Sequence, residues 1–238
     1  MNETNDPDPN PYSSYEIIEE KVLHGSRKII SERLKGSYQN KIHASIFRYL
    51  DIKKMKEFIK KIKKGSIVDH FIRAVALSLA EKQEFNATYD GSIYKIYKDI
   101  NISYAVNTAR GLVTPVLINA DKLSLDDFCR KRREMIALVM EWKHNSSDIL
   151  GGTFTITNLG NFGVDLTLAA IINPPQVAIL GMARICKLNI SWDDSGPGTK
   201  ELLPVTLTYD HSVIDGAGAA EFVQVLQDKI NNPQELWK

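Results

Sequence analysis

Apolar residues along this chain switch repeatedly between a helical spacing and a strand alternation. In GSRKIISERLKGSY, Ile29, Ile30, Arg33 and Leu34 recur at helical spacing. HASIFRYLDI then alternates Ala44, Ile46 and Tyr49 with polar or basic neighbours, which predicts a strand. From Ile52 to Lys64, Ile52, Met55, Phe58, Ile59 and Ile62 fall on one face and seven lysines on the other, an amphipathic helix. Ser66 opens a further helix with Val68, Phe71, Ile72, Val75 and Leu79 three and four apart, and Ser66 with Asp69 makes a capping-box-like start. Two strands follow, around DINISYAVNT and GLVTPVLI, joined by a short turn at Ala109, Arg110 and Gly111. Ser124 caps the next helix, whose apolar face is Phe128, Cys129, Met135, Ile136 and Val139. Three strand-like runs come next, GGTFTIT, QVAILGMA and LLPVTLTY. A last helix starts near Gly216. This order predicts an α/β (α+β) domain, with helices packed on a mixed, largely antiparallel sheet.

Composition narrows the class without naming it. The 238 residues are 43% apolar and 25% charged, as in an ordinary globular domain able to bury a sizeable core. A net charge of +1 gives no bulk signal for nucleic acid. Cys129 and Cys186 are far apart and lack metal-ligand spacing, so no metal site is expected and reduced packing thiols in a cytoplasmic protein are. No apolar run reaches membrane-spanning length. The Pro-rich, apolar-poor start reads as a disordered tail over residues 1–14, not as a signal peptide, with one domain over 15–238. The sequons at Asn86, Asn101 and Asn145 then carry no meaning.

The segment from Val205 to Gly216 is where chemistry is best placed. Alternating Val205, Leu207 and Tyr209 predict a strand ending at Asp210, with His211 at its end and Asp215–Gly216 opening a helix. A histidine there is held by a rigid element and can face a cleft, and its ordinary pKa suits proton transfer near neutrality. Each piece also has a structural reading. A lone histidine at a strand end is more often a hydrogen-bonded structural residue. Asp215 before a helix is an ordinary N-cap. Residue chemistry alone therefore gives a possible base and no more.

The motifs carry a resemblance. H-x-x-x-D-G after such a strand resembles the signature of the coenzyme-A-dependent acyltransferases, which include chloramphenicol acetyltransferase and the dihydrolipoyl acyltransferase cores of the 2-oxoacid dehydrogenase complexes. DHSVIDG resembles the dehydrogenase branch, as do GGTFTITNLGNFG, INPPQVAILGMARI, NTARGLVTPVL and SRKIISERLKGSY, in that order. The match runs from about residue 24 to the C-terminus. It implies a two-layer acyltransferase sandwich, with coenzyme A or its acyl thioester as substrate. It further implies that His211 is the general base toward a thiol, Thr157 a hydroxyl donor to the oxyanion, and Asp215 a residue fixing the loop. Ser66, Asn107, Thr157, Asn158 and Gly181 fall at positions resembling the family's cofactor contacts, though each also suits a cap, hairpin, strand, turn or close-packing role. The lysine face of residues 53–64 has two readings, attraction of the cofactor's phosphates or a solvated helix face.

The resemblance also implies a homotrimer with the site shared between chains, probable assembly of trimers into a larger core, and dehydrogenase partners. Leu236 and Trp237 have two destinations, a neighbouring trimer or their own subunit. Three departures stand out. Ser212 replaces the family's arginine, the proline before the position of His43 is absent, and Ile59 with Lys60 stands where an arginine is common. No lipoyl or peripheral-subunit-binding domain is read in the chain, so a lipoyl group would arrive in trans. Competing functions are a scaffold that has lost catalysis and a stand-alone small-molecule acetyltransferase.

Overall fold

The computed structural model describes residues 12, 14–190 and 198–238. The tail expected over 1–14 lies almost entirely outside them. Among the described residues one seven-stranded sheet organises the molecule. Its strands are β1 (His43–Asp51), β4 (Ile102–Tyr104), β7 (Val116–Leu117), β8 (Phe154–Asn158), β9 (Ala178–Met182), β10 (Cys186–Ile190) and β11 (Gly198–Asp210). The order is β1-β11-β9-β8-β4-β7, with β10 on β11. β4, β8 and β9 run parallel and the remaining pairs antiparallel, so the sheet is mixed and largely antiparallel, as the sequence pattern predicts. Two hairpins lie apart from it: β2 (Ala87–Tyr89) with β3 (Tyr94–Ile96), and β5 (Val106–Thr108) with β6 (Gly111–Val113).

Among the described residues the α-helices are α1 (Gly25–Asn40), α2 (Lys53–Ile62), α3 (Ile67–Glu81), α4 (Leu125–Met140) and α5 (Gly216–Asn231). Residues of α3 and α5 join the sheet in one apolar core, which includes Phe71, Phe85, Phe154, Leu180, Leu207 and Phe222. Phe222 stacks between Phe85, at 4.7 Å, and Phe154, at 6.1 Å. Strand alternation puts Phe154, Leu180 and Leu207 on one face and leaves Ser45, Ser103, Thr155, Thr157, Thr206 and Thr208 on the other. Hydroxyls on that second face are paired: Ser45 with Thr208 at 2.8 Å, and Thr155 donating to the amide oxygen of Gln176 at 2.6 Å.

The structure corrects two boundaries. The alternating run from Ile100 to Val106 is two strands, because Ala105 N–H bonds Ile156 O while Val106 turns into the hairpin with β6. The lysine-rich helix stops at Ile62, where Lys63 takes a left-handed φ of 52° and closes the helix end onto Ile59 O. Strands β2 and β3, at three residues each, are too short to show a period, while β10 alternates Cys186, Leu188 and Ile190 with Lys187 and Asn189 and adds a strand the sequence pattern did not predict. Leu236 is fully buried and Trp237 half-buried within the chain. Arg73 donates to Leu236 O at 2.7 Å and stacks over the Trp237 ring at 5.1 Å.

Candidate active site

β11 delivers His211 to the surface. The strand is buried from Leu202 through Asp210, and the chain emerges at His211, which is exposed. Its backbone N–H donates to Ile42 O at 2.7 Å, tying it to the start of β1. The ring lies 5.7 Å from that of Tyr209. No described residue hydrogen-bonds the His211 ring nitrogens, which leaves them to a substrate. Asp215 is the N-cap of α5, its carboxylate accepting from Gly218 N at 2.7 Å. The cap reading of Asp215 thus holds.

Asp210, immediately before the histidine, belongs to the DHSVIDG motif but carries no assigned role from sequence. Its carboxylate is fully buried, accepting from Lys41 Nζ and from the backbone N–H groups of Ile42 and Ser212. Burial pushes its pKa up, but the hydrogen bonds from Ser212 and Lys41 outweigh that and hold it below the ordinary carboxylate value. No sequence signal marked Lys41, because its partner is 169 positions away.

Thr157 sits on β8 opposite Gly181 of β9, which in turn sits opposite Thr206 of β11. Thr157 is half-buried and lies toward the C-terminal end of β8. A Cβ on Gly181 would meet Thr167 Oγ1 at 2.6 Å, so glycine here lets the 163–176 segment pack on the hydroxyl face. Asn158 follows, with Oδ1 accepting from Gly160 N at 2.9 Å to shape the turn. It lines a cleft of about 160 Å³ with Ile67 and Val68, the first residues of α3. Ser66 caps that helix in a full capping box with Asp69, whose carboxylate also takes a hydrogen bond from Arg132. Burial raises the Asp69 pKa, and the bonds from Arg132 and Ser66 more than reverse this.

Ser66, Thr157, Asn158 and Gly181 are therefore brought to one end of the sheet. Asn107 is exposed on the β5–β6 hairpin. His211 and Asp215 lie at the other end. Thr157 is two strands from Thr206, and His211 is five residues beyond Thr206. With strands ~4.8 Å apart and a rise of ~3.3 Å per residue, Thr157 and His211 are roughly 19 Å apart within one chain. A base and an oxyanion donor so separated cannot serve one reacting carbonyl.

The described residues contain no group of three or more His, Cys, Asp or Glu side chains able to hold a metal ion, and no helix long and apolar enough to cross a membrane.

Comparison with known proteins places this geometry. The chain is 37% identical over 215 residues to the succinyltransferase component of the 2-oxoglutarate dehydrogenase complex of Buchnera aphidicola, covering 85% of this chain and 53% of that protein. It is 34% identical over 216 residues to the acetyltransferase component of the pyruvate dehydrogenase complex of Rickettsia bellii, covering 87% and 51%. The chain thus spans about half the length of these curated relatives. Its fold matches the dihydrolipoamide acetyltransferase of Azotobacter vinelandii with a TM-score of 0.87 and 29% identity, over 97% of this chain and 98% of that one. The structural study of that enzyme concerned a serine, and a histidine and an asparagine four positions apart, in its catalytic mechanism. A chloramphenicol acetyltransferase shares the fold at a TM-score of 0.54 and 16% identity, over 87% of this chain and 94% of that one. The family model of the 2-oxoacid dehydrogenases acyltransferase catalytic domain matches residues 16–237, and the chain belongs to that family.

Proposed function

We propose that this chain is an acyl-transfer core of a 2-oxoacid dehydrogenase complex, moving an acyl group between a dihydrolipoyl thiol and coenzyme A. His211 is the general base and Thr157 the oxyanion donor. The observation that carries this reading is the placement of the two residues. Each is held at a strand end, His211 with free ring nitrogens, and the two face opposite ends of one sheet. A second copy of the chain can bring its Thr157 to the first copy's His211, which supports a trimer with shared sites.

The chemistry follows from the residues. A free thiol has a pKa of about 8.5, so near neutrality it needs a base. His211 takes the thiol proton, and the thiolate attacks the carbonyl carbon of the acyl thioester. Charge moves to the carbonyl oxygen, where the Thr157 hydroxyl donates a hydrogen bond. Collapse expels the second thiol as thiolate, which recovers the proton from His211. Atoms and charge balance, and no metal or redox cofactor enters. Asp215 holds the loop through its cap. Ser66 and Asn158, beside one cleft at the Thr157 end, are the best-placed contacts for coenzyme A. Gly181 serves there through close packing.

Turnover of acetyl- or succinyl-coenzyme A with free dihydrolipoamide tests the reading. Native protein is expected to form acyl-dihydrolipoamide, and His211→Ala to lose it. A folded native protein inactive with every acyl donor would sink the proposal. A monomer at micromolar concentration would remove the shared site.

A further inference from the structure

One buried ion pair stands directly beneath the histidine. β1 and β11 pair so that His43 faces Asp210, placing Lys41 and Ile42 alongside the end of β11. Asp210 Oδ1 accepts from Ile42 N at 3.2 Å and from Ser212 N at 3.1 Å. Its Oδ2 accepts from Lys41 Nζ at 3.1 Å. One carboxylate therefore holds the residue that follows His211 in sequence and the residue whose carbonyl accepts the His211 N–H.

The ammonium is as enclosed as the carboxylate. The Lys41 side chain is 5% exposed and that of Asp210 0%. Lys41 Nζ also donates to Tyr89 O at 3.1 Å and lies 5.7 Å from the centre of the Tyr89 ring. No other described carboxylate is within ion-pair distance of it. Burying two charges gains little over an apolar pair of the same shape, whereas removing one partner strands the other. What such a pair supplies is a fixed arrangement. Here the atoms fixed are those on either side of His211, a residue otherwise exposed at a strand end and liable to lose its aim.

We propose that Lys41 is a positioning residue for the transfer reaction: its buried ammonium holds the Asp210 carboxylate, and Asp210 fixes the backbone on both sides of His211. The assignment rests on the reading of His211 as the base. Lys41 itself donates to Asp210 and Tyr89 in a buried position away from the reacting groups. Ser212 enters the same device through its backbone N–H, so the loop is held by hydrogen bonds to Asp210 without a charged residue at position 212.

The test is a cycle of Lys41→Met, Asp210→Asn and both together, beside Lys41→Met with Asp210→Ala. Asparagine keeps an oxygen for the two N–H groups and needs no counter-ion, while alanine keeps neither. Lys41→Met is expected to lower kcat roughly 100-fold, the scale of a 1 Å misplacement. The KM for acyl-coenzyme A should stay within about twofold, since ground-state binding is untouched. Adding Asp210→Asn should bring kcat back to within about tenfold of native, the non-additivity of residues acting through one another. The alanine pair should stay low. The ring carbon resonance of His211, labelled and identified by its loss in His211→Ala, supplies a readout that needs no activity. It should be narrow in the native protein and the asparagine pair, and broadened or split in Lys41→Met. Folding is followed by oligomer size and melting temperature. If Lys41→Met does not fold, the asparagine pair against the alanine pair still decides. Native kcat and an unchanged resonance in folded Lys41→Met would overturn the proposal, as would an asparagine pair no better than the alanine pair. If the native protein transfers no acyl group, the function fails, and the resonance still decides the clamp.

Discussion

Thr157 stands two strands from Thr206 and His211 five residues beyond it, so the proposed donor and base of one chain lie at opposite ends of the sheet. A site that needs both must draw them from two chains. His211→Ala and Thr157→Val, each inactive alone, should therefore complement when refolded together. With random mixing, roughly one quarter of the subunit interfaces in a cyclic trimer would hold both intact residues. Recovered activity near that fraction supports the shared site, and none at all from verified mixed oligomers contradicts it.

The two residues should also fail with different magnitudes. His211→Ala is expected to lower kcat about 10²- to 10⁴-fold, the range for a general base. Thr157→Val removes one oxyanion donor and should cost about 10²- to 10³-fold, with Thr157→Ser retaining most of the rate. Steady-state rates at saturating acyl-coenzyme A separate these outcomes from binding effects. Equal KM with reduced kcat is the expected signature.

His70 should make stability depend on pH near neutrality. It is fully buried, with Nε2 donating to Lys64 O at 3.0 Å and Nδ1 accepting from Trp237 Nε1 at 2.9 Å. Burial lowers its pKa below the ordinary histidine value, the bond to Lys64 and the nearby Asp69 opposing this only in part. The unfolded chain thus binds a proton that the native ring refuses, and stability rises with pH across the interval between the two pKa values. Melting temperature should fall as pH drops from about 7.5 through the ordinary histidine range near 6.5. His70→Gln should flatten that dependence, and an unchanged slope would refute the assignment.

Acid should act through a different pair. Asp69 and Asp210 both have lowered pKa values in the native state. Their contribution is fully present above the unfolded carboxylate value of about 3.9 and is lost as pH falls through the lower native values. Asp69→Asn should therefore destabilise the protein at neutral pH and remove part of the acid sensitivity. Denaturant midpoints at pH 7 and pH 3 measure both effects.

Gly160 is the tightest backbone position beside the candidate cleft. A Cβ there would come within 2.7 Å of Ala183 O and 2.9 Å of Ala183 C. These are backbone atoms and cannot rotate away. Gly160→Ala should cost about 1–3 kcal/mol, the range for overpacking, read as a lower melting temperature. Because Ala183 shares the cleft with Asn158, the variant should also raise the KM for acyl-coenzyme A.

Much of the fold was legible along the chain. Each helix had an apolar stripe, a capping residue or both, and Ser66, Ser124 and Asp215 all cap as their positions suggest. β8, β9 and β11 showed as apolar or alternating runs because their side chains meet the core on one face. The three-residue strands β2 and β3 left no period to detect, and the split at Ala105 depended on a bond to Ile156, 51 positions away in sequence.

The sequence by itself determined the helices, most of the longer strands and the family motifs that make His211, Asp215 and Thr157 candidates, because local periodicity and residue type survive in one dimension. It could not determine which of those residues meet. Tertiary structure decided that, since register across β8, β9 and β11 sends Thr157 and His211 to opposite ends of the sheet. It also decided what lies under the histidine: Lys41 and Asp210, unremarkable in the sequence, become a buried ion pair only when β1 closes against β11 and excludes water from both charges.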